Sequence, residues 1–142
     1  MNILDKKRIF MVEDNPGNRA VAKMILELSG AVTASSRLGF DALKLLEGFA
    51  PVDIILLDLM LPNGVSGYDL FDTIRKVPAY AEVPIVAISA ADASHEVPKV
   101  REKGFAGFIA KPLEADLFPS QILKIINGSS VWYTGRYYYE RS

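Results

Sequence analysis

The chain contains no cysteine, which removes disulfides, thiolate nucleophiles, Cys-based zinc sites and iron–sulfur clusters together. Histidine is almost absent. His95 alone cannot build a multi-histidine metal site, and any Ser-His-Asp triad would have to use it. Neither sign of charge is in excess: sixteen Lys and Arg against seventeen Asp and Glu leave −1, so no global field recruits nucleic acid or anionic lipid. Long apolar runs are also missing. After Lys6, Lys7 and Arg8, only Ile9 to Val12 precede Glu13, whereas a signal peptide needs about 7–15 apolar residues and a spanning helix about 20. The expectations are a cytoplasmic protein, no membrane insertion and no nucleic-acid partner. Any chemistry falls to carboxylates, hydroxyls, lysines and a hard cation.

What is present is the make-up of a folded domain: 142 residues, half of them hydrophobic and 23% charged. Short apolar runs alternate with amphipathic stretches. Strands are expected at 8–12, 31–34, 52–57, 83–88 and 105–110, each too short and too apolar for a solvent-facing sheet. Between them the spacing predicts helices. The first opens with Asn15 as cap and Pro16 at its first position, carries Val21, Met24, Ile25 and Leu28 at helical spacing, and stops at Gly30. The second spans 39–46, with Phe40, Leu43 and Leu46 on one side. The third spans 67–76 and the fourth 94–103, with Pro98 close enough to the start to be tolerated. The last spans 117–126, with Asp116 as a candidate cap. Apolar strands joined by helices make a parallel sheet with right-handed crossovers. The expected fold is therefore α/β, a five-stranded doubly wound sheet over residues 1–127, followed by an aromatic-rich tail, 128–142.

Ligands of such sheets bind beyond the carboxyl ends of the strands. Those ends carry Glu13 and Asp14 (first strand), Asp58 (third), Ser89 (fourth) and Lys111 (fifth). Crowded carboxylates repel unless a cation neutralises them, and oxygen donors suit Mg²⁺, which accepts phosphate oxygens as well. A lysine and a hydroxyl beside them complete a cradle for a phosphoryl group, and one carboxylate is then placed to act as nucleophile. Each group also has a plainer role: helix-cap charge for Glu13 and Asp14, a turn cap for Ser89, a core aromatic for Phe108. His95 reads as an exposed helix residue.

Four segments, Val12-Glu13-Asp14-Asn15, Leu57-Asp58-Leu59-Met60-Leu61-Pro62-Asn63-Gly64, Ile88-Ser89-Ala90 and Ala110-Lys111-Pro112, stand in order on strand ends. Together they resemble the response-regulator receiver domain of two-component signalling, over about residues 7 to 127. The resemblance implies a flavodoxin-like strand order, 2-1-3-4-5. It implies Asp58 as phosphoacceptor, with Mg²⁺ held by Glu13, Asp14, Asp58 and the backbone carbonyl of Met60. Ser89 and Lys111 would contact the phosphoryl oxygens, and Phe108 would be the aromatic whose rotation reports phosphorylation. The phosphoryl group would come from a phosphohistidine on a histidine kinase or histidine phosphotransfer protein. The face made by the fourth helix, fifth strand and fifth helix would control a downstream protein, and a homodimer is among the assemblies allowed. The Lys111–Pro112 bond is expected to be cis, as in tight turns.

About fifteen residues follow Asn127, too few for a helix-turn-helix or a catalytic output domain, so a stand-alone receiver is expected. In that tail, Val131-Trp132-Tyr133 and Tyr137-Tyr138-Tyr139 flank Thr134-Gly135-Arg136, which could close a small hairpin, and the expectation is either a terminal extension, resting on the domain or disordered, or a recognition surface. Two other functions compete. One is a Mg²⁺-dependent phosphohydrolase with an aspartyl nucleophile, disfavoured because such enzymes usually carry an acid where this chain has Met60. The other is an adaptor that works without phosphorylation.

Overall fold

Four of the five expected apolar runs become strands buried on both faces, flanked by helices from the amphipathic stretches, whereas the second, at the sheet edge, stays mostly exposed or half-buried. In the computed structural model, which describes residues 2–135, the strands are β1 (Arg8–Val12), β2 (Val32–Ser36), β3 (Ile54–Asp58), β4 (Ile85–Ser89), β5 (Gly107–Ala110) and β6 (Val131–Tyr133). The helices are α1 (Pro16–Leu28), α2 (Ala42–Phe49), α3 (Gly67–Arg75), α4 (Ala93–Lys103) and α5 (Phe118–Ile126), with a short 3₁₀ turn at Pro78–Tyr80. All strand pairs are parallel, in the order β2-β1-β3-β4-β5-β6. The five expected strands stand in the expected order.

A sixth strand is added at the β5 edge, where the sequence suggested one arm of a hairpin. Val131–Tyr133 pairs with β5 instead, after a further helical crossover through α5. The other proposed arm, Tyr137-Tyr138-Tyr139, lies outside the described residues.

Side-chain alternation divides the core into two layers. Phe10, Leu57, Phe71 and Phe108 belong to one, on the side of α2, α3 and α4; Ile9, Met11, Leu26, Ile109 and Phe118 belong to the other, under α1 and α5. Asn15 caps α1 as expected, its side chain accepting from the Asn18 amide at 2.9 Å. The buried face of α1 is Ala22, Ile25 and Leu26, however, while Val21, Met24 and Leu28 are exposed. Periodicity finds a stripe, and this helix carries two.

The second helix starts later than its pattern suggests. Gly39 takes φ +90°, a turn conformation, so Phe40 precedes the helix and is exposed rather than packed. Asp92 caps α4, accepting from the Ser94 amide at 2.9 Å, which puts Pro98 one turn inside, where it forfeits only the bond to the Ser94 carbonyl. Helix α5 begins at Phe118, not under an Asp116 cap: Leu117 occupies the cap position without a side-chain bond, and Pro119 fits the first turn. Among the described residues no helix is long and apolar enough to cross a membrane.

Candidate functional site

Parallel pairing brings the ends of β1, β3, β4 and β5 to one rim, and the side chains there meet. Glu13 follows β1; its carboxylate accepts from the Asn15 amide at 3.2 Å, and its backbone carbonyl accepts from Arg19 at 3.0 Å. Asp58 ends β3, with Oδ1 held by the Met60 amide at 3.0 Å. Both acids are buried. Lys111, just past β5, places its ammonium 2.7 Å from Glu13 Oε1 and 3.0 Å from Asp58 Oδ2. The Lys111–Pro112 bond is cis, as expected, and so is Ala50–Pro51, which the sequence did not flag.

Half-buried Asp14 completes an acidic group: carboxylate oxygens of Glu13, Asp14 and Asp58 lie within 4.8 Å of one another. Burial pushes the Glu13 carboxyl above the usual carboxylate range; the Lys111 ammonium opposes this and the Asp58 charge adds to it. Burial alone would lower Lys111, but hydrogen bonds and charge from Glu13 and Asp58 outweigh it and raise the ammonium. The two directions agree on one physical picture. Two acids share one ammonium with Asp14 beside them, so the lysine is held charged while one of its partners is under-neutralised. A hard divalent cation fits such an all-oxygen donor set.

Ser89, fully buried at the end of β4, accepts from the Ala91 amide at 2.9 Å. Its carbonyl accepts from the Lys111 amide at 2.8 Å, tying the two strand ends together. Phe108 is fully buried in β5, in register with Ala87 and Trp132. Met60 sits two residues beyond Asp58 with its side chain exposed. His95 is an exposed residue of α4, its Nε2 3.8 Å from Asp92. One contributor was missed: Thr134, just past β6, lines a groove of about 670 Å³ with Ser89, Asp92, Ser94 and Lys111. The strand-end rule that picked out Ser89 and Lys111 would have found it, had Val131–Tyr133 been placed in the parallel sheet rather than in a hairpin.

A doubly wound parallel sheet whose carboxyl rim gathers acids, a hydroxyl and a lysine holds the groups that phosphoryl chemistry with a hard cation uses. Residues 9–123 match the family described as response regulator receiver domain, so this chain belongs to that family, as a receiver domain of two-component signalling. The polar-differentiation response regulator DivK of Brucella ovis is 30% identical over 112 residues, covering 79% of this chain and 89% of that protein. The non-phosphorylated HemR receiver domain from Leptospira biflexa is 30% identical, with TM-score 0.73 over 85% of this chain and 94% of that one. The chemotaxis response regulator CheY4 of Vibrio cholerae shares the fold: TM-score 0.76 at 18% identity, over 84% of this chain and 98% of that one.

Proposed function

We propose that Asp58 is the phosphoacceptor of this receiver and that a phosphohistidine, on a histidine kinase or a histidine phosphotransfer protein, is its donor. The observation that carries the reading is the double contact of Lys111 with Glu13 and Asp58 beside Asp14. A carboxylate oxygen of Asp58 attacks phosphorus; the P–N bond to the donor imidazole breaks, and its electron pair stays with the ring nitrogen. Lys111 then faces a phosphoryl oxygen in place of one carboxylate oxygen, and the Ser89 hydroxyl turns to donate to another. Glu13, Asp14, Asp58 and the Met60 carbonyl would hold Mg²⁺, which supplies charge neutralisation for the transferring group.

The donor protein is assigned to α1. Val21, Met24 and Leu28 form an exposed apolar stripe there, and Val21 also lines a cleft with Glu13, Asn18, Lys111, Pro112 and Leu113. A partner seated on this stripe brings its imidazole to the rim. Phosphorylation is read out by the α4, β5 and α5 face, with Phe108 following Ser89, and a downstream protein receives the signal in the cytoplasm. The test is intact mass after incubation with Mg²⁺ and acetyl phosphate. The parent gains one phosphoryl group and Asp58→Asn gains none; equal uptake by both rejects the assignment.

A further inference from the structure

The receiver reading leaves β6 without a task, yet the fold is built to receive it. A Cβ on Gly107 would lie 2.6 Å from the Val131 carbonyl oxygen, so glycine in β5 is what lets β6 approach to pairing distance. The strand then serves both core layers. Trp132 packs in the layer of Phe108 and Val100, with the Arg101 guanidinium of α4 4.8 Å from its ring centroid. Val131 and Tyr133 pack in the other layer, with Ile122 and Ile125 of α5. Beyond the strand, Thr134 lines one groove together with the start of α4, Ser89 and Lys111. β6 is the shortest strand, at the sheet edge with all three residues half-buried, so few contacts oppose its opening.

We propose that β6 is a detachable strap on the β5 edge, docked while Asp58 is free and released when Asp58 carries a phosphoryl group. It rests on the receiver reading above. The direction follows from strand order: β4 lies next to β3 on one side, and β5 then β6 on the other. The Ser89 hydroxyl now accepts from the Ala91 amide and so holds the β4–α4 loop in place. A phosphoryl group on Asp58 offers that hydroxyl a charged acceptor on the β3 side. The loop is drawn towards β3 and away from β6. Helix α4 follows, which separates Arg101 from Trp132 and opens the groove at Thr134. Release leaves the backbone groups of the β5 edge unpaired, together with the apolar seam between α4 and α5.

Trp132 is the only tryptophan of the chain, so its fluorescence reports β6 without labelling. The experiment follows Trp132 emission and iodide quenching of the full chain with Mg²⁺, before and after acetyl phosphate, and records intact mass alongside. The expected result is a red shift and a several-fold rise in quenching that tracks the phosphorylated fraction and reverses as the phosphoryl group hydrolyses. Full phosphorylation with unchanged emission and quenching overturns the strap and leaves the receiver reading intact. Absence of any mass gain overturns that reading and the trigger with it. Arg101→Ala tests the docked seam independently: it is expected to raise Trp132 quenching before phosphorylation, and no change would mean that α4 does not hold the strap.

Discussion

At the amino ends of the strands, Arg8 donates to the carbonyl oxygens of Phe49 at 2.5 Å and Pro51 at 2.8 Å, and its guanidinium lies 4.2 Å from the centroid of the Phe49 ring. Asp53 accepts the Arg8 amide at 2.7 Å. At the carboxyl ends, Lys111 bridges Glu13 and Asp58 with Asp14 beside them. Each rim thus sets one cation among several oxygens. The acceptors around the Arg8 side chain are neutral carbonyls fixed in the backbone, and the planar fork suits them. The acceptors around Lys111 are charged and outnumber it. One rim pairs its cation with neutral oxygens; the other gathers three acids around one lysine. The site is where the fold leaves its electrostatics incomplete.

The largest break of this contrast comes from removing the lysine. Lys111→Met leaves Glu13 and Asp58 without their counter-charge. The expected cost is about 3 kcal/mol without metal, at the low end for removing one partner of a buried pair because this rim borders solvent. Urea unfolding measures it. Because Lys111 is raised above its ordinary 10.5, its contribution is fully present below that value and lost as pH rises through the raised one. The gap between parent and variant should therefore stay flat from neutral pH to about 10. Added Mg²⁺ should stabilise the variant more than the parent, since it replaces the missing charge. Equal stabilisation would mean that the acids are not competing for one cation.

The opposite rim gives the control. Arg8→Ala removes two charge-assisted hydrogen bonds and the contact with Phe49, and should cost about 2 kcal/mol. The rate of phosphorylation by acetyl phosphate and the Mg²⁺ midpoint should not change. A variant that lost both stability and phosphorylation would show the two rims to be coupled through β1.

This contrast was half legible in the sequence. Glu13, Asp14, Asp58, Ser89 and Lys111 could be found because each follows an apolar run, and parallel topology sends all such ends to one rim. Arg8 could not, because its partners are backbone carbonyls of Phe49 and Pro51, which no residue type announces. The same limit explains β6. Val131-Trp132-Tyr133 looks like a local hairpin arm, whereas its actual partner is β5, more than twenty residues upstream, admitted by the small size of Gly107. On α1 the apolar spacing marks a helix without saying which side is buried, and of the four residues it picks out only Ile25 faces the core. Val21, Met24 and Leu28 repeat as regularly as the residues that face the sheet, and only packing decides which stripe goes inside.

The smallest expected effect is the sharpest test of the surplus charge. Glu13→Gln removes one of the acids that share Lys111 while keeping size and hydrogen-bonding capacity. Burial pushes the Glu13 carboxyl above its ordinary value of 4.5, with Lys111 opposing and Asp58 adding, so the ionised form is disfavoured in the folded chain. A raised carboxyl contributes stability that is present below the unfolded value and lost as pH rises through the folded one. Above the raised value that contribution is gone in the parent, and the glutamine variant should be the more stable there, by no more than about 1 kcal/mol because the rim is partly solvated. On acidification through the raised value the parent becomes protonated and the difference should close. Mg²⁺ above the raised value should reverse the order, stabilising the parent by mass action and the variant much less. Thermal unfolding at two pH values, with and without Mg²⁺, reads all four states. A variant less stable than the parent above the raised value without metal would mean that Lys111 fully neutralises Glu13, and the carboxyl rim would then be as fully paired as the one around Arg8.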